Sequence, residues 1–137
     1  MADETRHVER YATTIPDKLG EGARVLGALR DAGVNLIPFW GYPSGRGKAQ
    51  LEFIPENGAA FLAAAKQAKL GVWKNTALYV HGDDRPGAVA HTVKRLAEAR
   101  ISVGALQAVA AGGGTYSAVI FLPRAAARKA ASVLGAA

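Results

Sequence analysis

The chain has 137 residues, 50% hydrophobic and 20% charged, the composition of one ordinary globular domain or two very small ones. No apolar run approaches the roughly 20 residues that cross a bilayer, the stretch MADETRHVER is too charged and acidic for a signal or transit peptide, and zero cysteines remove disulfides and thiolate metal sites. A cytoplasmic location is expected, and the 17 Lys+Arg against 11 Asp+Glu, net +6, are dispersed as solvated surface is, not gathered into a polyanion-binding stripe.

In chain order, a strand is predicted near Tyr11 to Ile15, a helix over Ala23 to Ala32 and a strand over Val34 to Tyr42. The turn PSGRGK leads to a strand over Ala49 to Ile54, then a helix carrying Phe61, Leu62 and Ala65, and a short closing strand near Val72 to Lys74. A second series follows. Ala77 to Val80 is an apolar, β-prone run, and Val89, Val93 and Leu96 take helical spacing with His91, Lys94, Arg95 and Glu98 on the opposite face. Ile101 to Val109 and Tyr116 to Leu122 read as strands around the glycine turn AAGGGT, and Ala127, Ala131 and Leu134 mark a last helix.

The two series are copies of one unit. DKLGEGARVLGALRDAGVNL from Asp17 aligns with DRPGAVAHTVKRLAEARISV from Asp84 at an offset of 67 residues, and LEFIP later meets VIFLP. The order βαββα, closed by a further strand, is the split βαβ arrangement of ferredoxin-like α+β sandwiches: antiparallel sheets with helices on one face. The expected domains are residues 6–74 and 75–137. The second copy shows no closing strand of its own, so it does without one or borrows one.

The stretch HGDDRPGAV gathers charge and rigidity where a strand gives way to a helix. Asp84 is placed to accept from the first free N–H groups of the helix, Pro86 suits a first helical position, and Gly87 permits close approach of a backbone or ligand. A plain helix cap accounts for this pattern. So does a seat for an anion on the N–H groups of Gly87 and Ala88.

DDRPGAVAHTVKRLAEARISV and PDKLGEGARVLGALRDAGVNL resemble the first strand, glycine turn and first helix of the ACT domain, and the likeness spans about Val8 to Leu134. The resemblance implies two βαββαβ regulatory modules of a family that binds amino acids and other small metabolites, with no attached catalytic domain. In such proteins the glycine turn of one unit faces the start of the second strand of its neighbour. Serine-sensing members place a polar side chain before Arg-Pro-Gly and an Asn in the receiving strand. Carried over, the second copy holds the turn Asp84-Arg85-Pro86-Gly87, followed by Ala88, and the first copy holds the receiving Asn35-Leu36. The reciprocal set, Asp17, Leu19 and Gly20 with Ser102, lacks the proline and the Asn, and is expected to be the weaker site. The resemblance thus implies an amino-acid ligand, with backbone N–H groups on its carboxylate and Asp84 and Asn35 on its ammonium group. A homodimer is expected because exposed sheet edges and the missing closing strand invite pairing, and a regulated enzyme is the further partner expected of such a module.

Other chemistries fit less well. RGKAQLEF follows the outline of an RNA-binding strand motif, but Lys48 and Gln50 stand where aromatic rings must stack bases, so a nucleic-acid partner is the alternative and not the expectation. GYPSGRGKA lacks the spacing of a phosphate loop, having Arg46 and Ala49 at decisive positions. His7, His81 and His91 have neither nucleophile nor metal-ligand spacing, His81 being expected half-buried on a strand. The alanine face of RAAARKAA buries too little area to hold a membrane. No catalytic residue, metal or cofactor is expected.

Overall fold

Two glycines fix where helices begin. Gly20 (φ +88°) and Gly87 (φ +82°) each adopt the left-handed backbone that L side chains resist, and each stands immediately before a helix without any side-chain cap. The computed structural model describes residues 3–136 and divides them into two units, Glu9–Asn75 and, separately, Thr76 onward with the N-terminal residues through Val8.

The unit Glu9–Asn75 is built from most of β1 (Glu4–Pro16), then α1 (Glu21–Asp31), β2 (Leu36–Gly45), β3 (Lys48–Pro55) and α2 (Gly58–Gln67). Its strands lie in the order β2-β3-β1, and both pairings are antiparallel. Side chains alternate across a strand, so the register Tyr11 opposite Phe53 sends both rings to one face. There they meet Val25 and Leu29 of α1 and Phe61 of α2, with Tyr11 and Phe53 rings 5.0 and 5.1 Å from that of Phe61. On the opposite face Glu52 is buried. Its Oε1 accepts from Arg10 at 2.6 Å, and its Oε2 from the Tyr42 hydroxyl and the Gln50 amide, each at 2.7 Å.

The second unit takes β4 (Trp73–Asp83) from Thr76 on, then α3 (Ala88–Glu98), β5 (Ala105–Val109), β6 (Thr115–Phe121) and α4 (Arg124–Val133). The strand order is β4-β6-β5, again antiparallel, and Leu78, Val80, Ala118 and Ile120 meet Leu96 and Ala130 in its core. The run from Trp73 is one continuous strand, where the sequence had suggested a closing strand and a separate new one. The buried stripe of α3 is Ala88, Thr92 and Leu96; Val93, expected inside, is 37% exposed. Residues 101–104 are a connection and not part of β5.

Within the second unit, the place beside β4 is taken by that unit's N-terminal residues, the start of β1 through Val8. Thr5 is buried, the Arg6 guanidinium lies 5.2 Å over the Tyr79 ring, and Asp3 rests against Gly82. The second unit therefore has a borrowed strand, and these contacts explain why residues 6–8 group with Thr76 onward instead of with the expected 6–74 segment.

Internal bonds recur in the two units. The Asp17 N–H donates to the Gly47 carbonyl and the Asp84 N–H to the Gly114 carbonyl, both at 2.9 Å. After the first helices, the Val34 N–H donates to Leu29 and the Ile101 N–H to Leu96, again both at 2.9 Å.

Candidate functional site

β4 ends at Asp83, and the next residue is tied to the β5–β6 turn through the Asp84–Gly114 bond. The Arg85 side chain folds back over this corner. Its Nη1 donates to the Asp83 carbonyl at 2.8 Å and to Asp3 Oδ1 at 3.2 Å, and its Nη2 to Asp3 Oδ2 at 3.3 Å. The helix cap is Gly87 and not Asp84, and Pro86 lies in the turn and not at the first helical position. Gly87 takes the cap position with a left-handed φ of +82° and has no side chain that could accept a helix N–H.

The first N–H groups are also disposed differently from the sequence expectation. The Ala88 N–H donates back to the Arg85 carbonyl at 3.3 Å, and the first regular bond runs from the His91 N–H to the Gly87 carbonyl at 2.9 Å. The N–H groups of Val89 and Ala90, which lie between them, have no carbonyl one turn earlier in the helix to accept them. The positive end of α3 is thus carried by residues one step further along than Gly87 and Ala88.

Those residues border an open groove of about 390 Å³. Asp84, Arg85 and Gly87 to Ala90 form one side, Ala108 and Val109 of β5 with Ala110 just beyond it the other, and Tyr116 also lines it. Tyr116 was legible in the sequence only as the start of a strand. Its register opposite Gly82 brings it here, 5% exposed, with its hydroxyl closed off and making no completed hydrogen bond. Burial, and then the Asp3 carboxylate that it faces, raise its pKa, so at neutral pH it is a phenol able to donate. Asp3, the other participant the sequence reading missed, is held below the ordinary carboxylate range. Burial pushes it up, but Arg85 and the neighbouring Tyr116 hydroxyl outweigh that. The groove therefore offers free N–H groups, a cation and an exposed carboxylate, with Tyr116 in its wall, a set suited to a dipolar small molecule.

The remaining sequence candidates have the following places. Asn35 is exposed at the entrance to β2. Its Nδ2 donates to Glu56 Oε2 at 3.0 Å and its carbonyl accepts the Glu56 N–H at 2.9 Å. Leu36 opens β2 opposite Pro55 and packs partly on the core. Asp17 is exposed, Leu19 is fully exposed where the other turn has Pro86, and Gly20 caps α1. Ser102 is exposed in the connection before β5. His81 is exposed, not half-buried, with Nδ1 3.2 Å from the Ser117 hydroxyl.

The face suggested by RGKAQLEF carries the buried Glu52 carboxylate, with Tyr42 and Gln50 bound to it, so an anion occupies the place where bases would stack. Among the described residues no group of three or more His, Asp and Glu side chains is arranged to hold a metal, and no helix is long and apolar enough to cross a membrane.

No family model matches the chain, and no curated protein matches it. Solved structures do. A protein of Bacteroides thetaiotaomicron superposes with a TM-score of 0.84 at 17% identity, over 96% of this chain and 88% of that one. The ligand-free regulatory subunit of aspartate kinase from Thermus thermophilus superposes with a TM-score of 0.67 at 18% identity, over 98% and 95%. That from Thermus flavus gives 0.58 at 18%, over 98% and 94%. The fold is α+β and of ACT type.

Proposed function

We propose that this chain is a regulatory protein of two ACT-type units that binds a small molecule, an amino acid, and catalyses nothing. The observation carrying the reading is the corner at Gly87. Val89 and Ala90, whose N–H groups have no acceptor one turn earlier in the helix, line the same groove as Asp84, Arg85 and Tyr116. A ligand carboxylate is matched to the helix end and Arg85, and a ligand ammonium to Asp84. The proposed site includes Asp84, Arg85, Pro86, Gly87 and Ala88, with Asn35 and Leu36 as the receiving run that the ACT resemblance implies. Asp17, Leu19, Gly20 and Ser102 form the weaker counterpart. The recurring turn bonds and the 67-residue sequence offset support the two-unit reading.

Regulation implies partners. Every residue of the edge strand β5 is exposed, Val109 at 65%, and an unpaired edge of this kind favours pairing with a second copy. An enzyme controlled by the ligand-bound form is the proposed downstream partner.

The test is a thermal-shift screen of the purified protein against the twenty amino acids. One amino acid should raise the melting temperature, and Asp84→Ala should abolish that shift while leaving the ligand-free melting temperature near the parent's. Undiminished binding by Asp84→Ala would remove the assignment.

A further inference from the structure

A second cavity, of about 530 Å³, shares Arg85 and no other lining residue with the groove. Arg85 from the turn before α3 and His91, Thr92 and Arg95 of α3 form one side, Asp3 and Thr5 the strand side, and Leu134 and Gly135, just past α4, the rim. His91 and Arg95 are one helical turn apart, so they project together, and the hydroxyl-bearing Thr5 and Thr92 are only 7% and 6% exposed. Arg95 also donates to the Val133 carbonyl, which offsets the negative end of α4 at the rim. Arg85 holds the Asp3 carboxylate and Arg95 lines the same cavity, so two guanidiniums and one carboxylate leave it a net positive charge.

The place of that carboxylate is shaped for an oxyanion. Asp3 presents both oxygens to the two terminal nitrogens of Arg85, the fork geometry guanidinium makes with carboxylates and phosphates alike. It reaches there because residue 82 is glycine: a Cβ at that position would stand 2.0 Å from Asp3 Oδ1 and 2.9 Å from its Cγ. Arg85 and Arg95 each have more N–H donors than these bonds use.

We propose that this cavity is a binding site for a phosphate group, free or carried on a small molecule, and that the Asp3 carboxylate is the resident group it displaces from Arg85. A dianion neutralises the two arginines where a single carboxylate does not, and the buried threonine hydroxyls supply neutral partners for its remaining oxygens. The cavity is larger than a lone phosphate requires, leaving room for what carries it.

The test is calorimetric titration of the full chain with inorganic phosphate and with a nucleoside monophosphate, at ionic strength held constant with chloride. Saturable one-to-one binding is expected, and a tighter monophosphate would identify a carried phosphate where equal affinities would identify the free anion. Asp3→Asn, which leaves Arg85 unpaired with a carboxylate, should tighten binding several-fold, and Arg95→Met should weaken it about tenfold. Asp84→Ala lies outside the cavity and should leave phosphate affinity unchanged, which separates this site from the amino-acid groove. Absence of saturable binding in both the parent and Asp3→Asn, or binding indifferent to Arg95→Met in a folded variant, would overturn the proposal.

Discussion

Arg10 donates to Glu52 at 2.6 Å with the two side chains only 10% and 1% exposed, so this ion pair lies almost wholly out of water. Such a pair adds little over well-packed apolar residues, but removing one partner strands the other charge. Glu52→Ala also deprives Tyr42 and Gln50 of their acceptor. It should cost about 3–5 kcal/mol in urea unfolding. The double change Arg10→Met with Glu52→Leu should cost less than either single change; additive losses would show that the two residues do not act as a pair.

The helix-capping glycines allow a test of opposite signs. An added Cβ at Gly87 meets nothing within 4 Å, so Gly87→Ala is penalised by its φ of +82° alone, at about 1–2 kcal/mol. Gly22 likewise has open space around it but lies inside α1 with ordinary helical backbone. Gly22→Ala should therefore stabilise by about 0.5–1 kcal/mol. Equal effects at both positions, read as unfolding free energies, would contradict the left-handed assignment.

Alkaline stability follows from two tyrosines. Burial first, and then the neighbouring Glu9 carboxylate, push the Tyr11 phenol from 10.0 up to about 12. Burial and Glu52 do the same for Tyr42, also to about 12. The folded chain thus holds these protons more tightly than the unfolded one. Their contribution is complete below pH 10 and is lost as the pH rises from 10 towards about 12. Unfolding free energy should fall across that window, tyrosinate absorbance should develop late, and Tyr42→Phe should flatten part of the slope. A flat profile in the parent would contradict the pairing of these hydroxyls with Glu9 and Glu52.

The glycine turns were legible because backbone need is written directly in residue type: Gly20 and Gly87 recur at one offset, and both are left-handed. The phase of α3 was less so. Hydrophobicity favoured Val93, but the cap at Gly87 sets the helix start so that the smaller Ala88 and Thr92 fill the space against the sheet. The groove depends on register, which placed Tyr116 opposite Gly82 and the end of β5 near the turn. Asp3 was invisible to local reading, since its partner Arg85 lies 82 positions away and the only local trace is a glycine inside a strand.

The most direct measurement of the central claim is a backbone amide NMR titration with the amino acid that stabilises the protein. Shifts should concentrate at Val89 and Ala90, with the Ala108–Ala110 end of β5 and the Tyr116 ring following at the same ligand concentration. Shifts gathered instead on Trp40, Tyr42 and Gln50, or no saturable shift with any amino acid, would contradict a ligand site at the Gly87 corner.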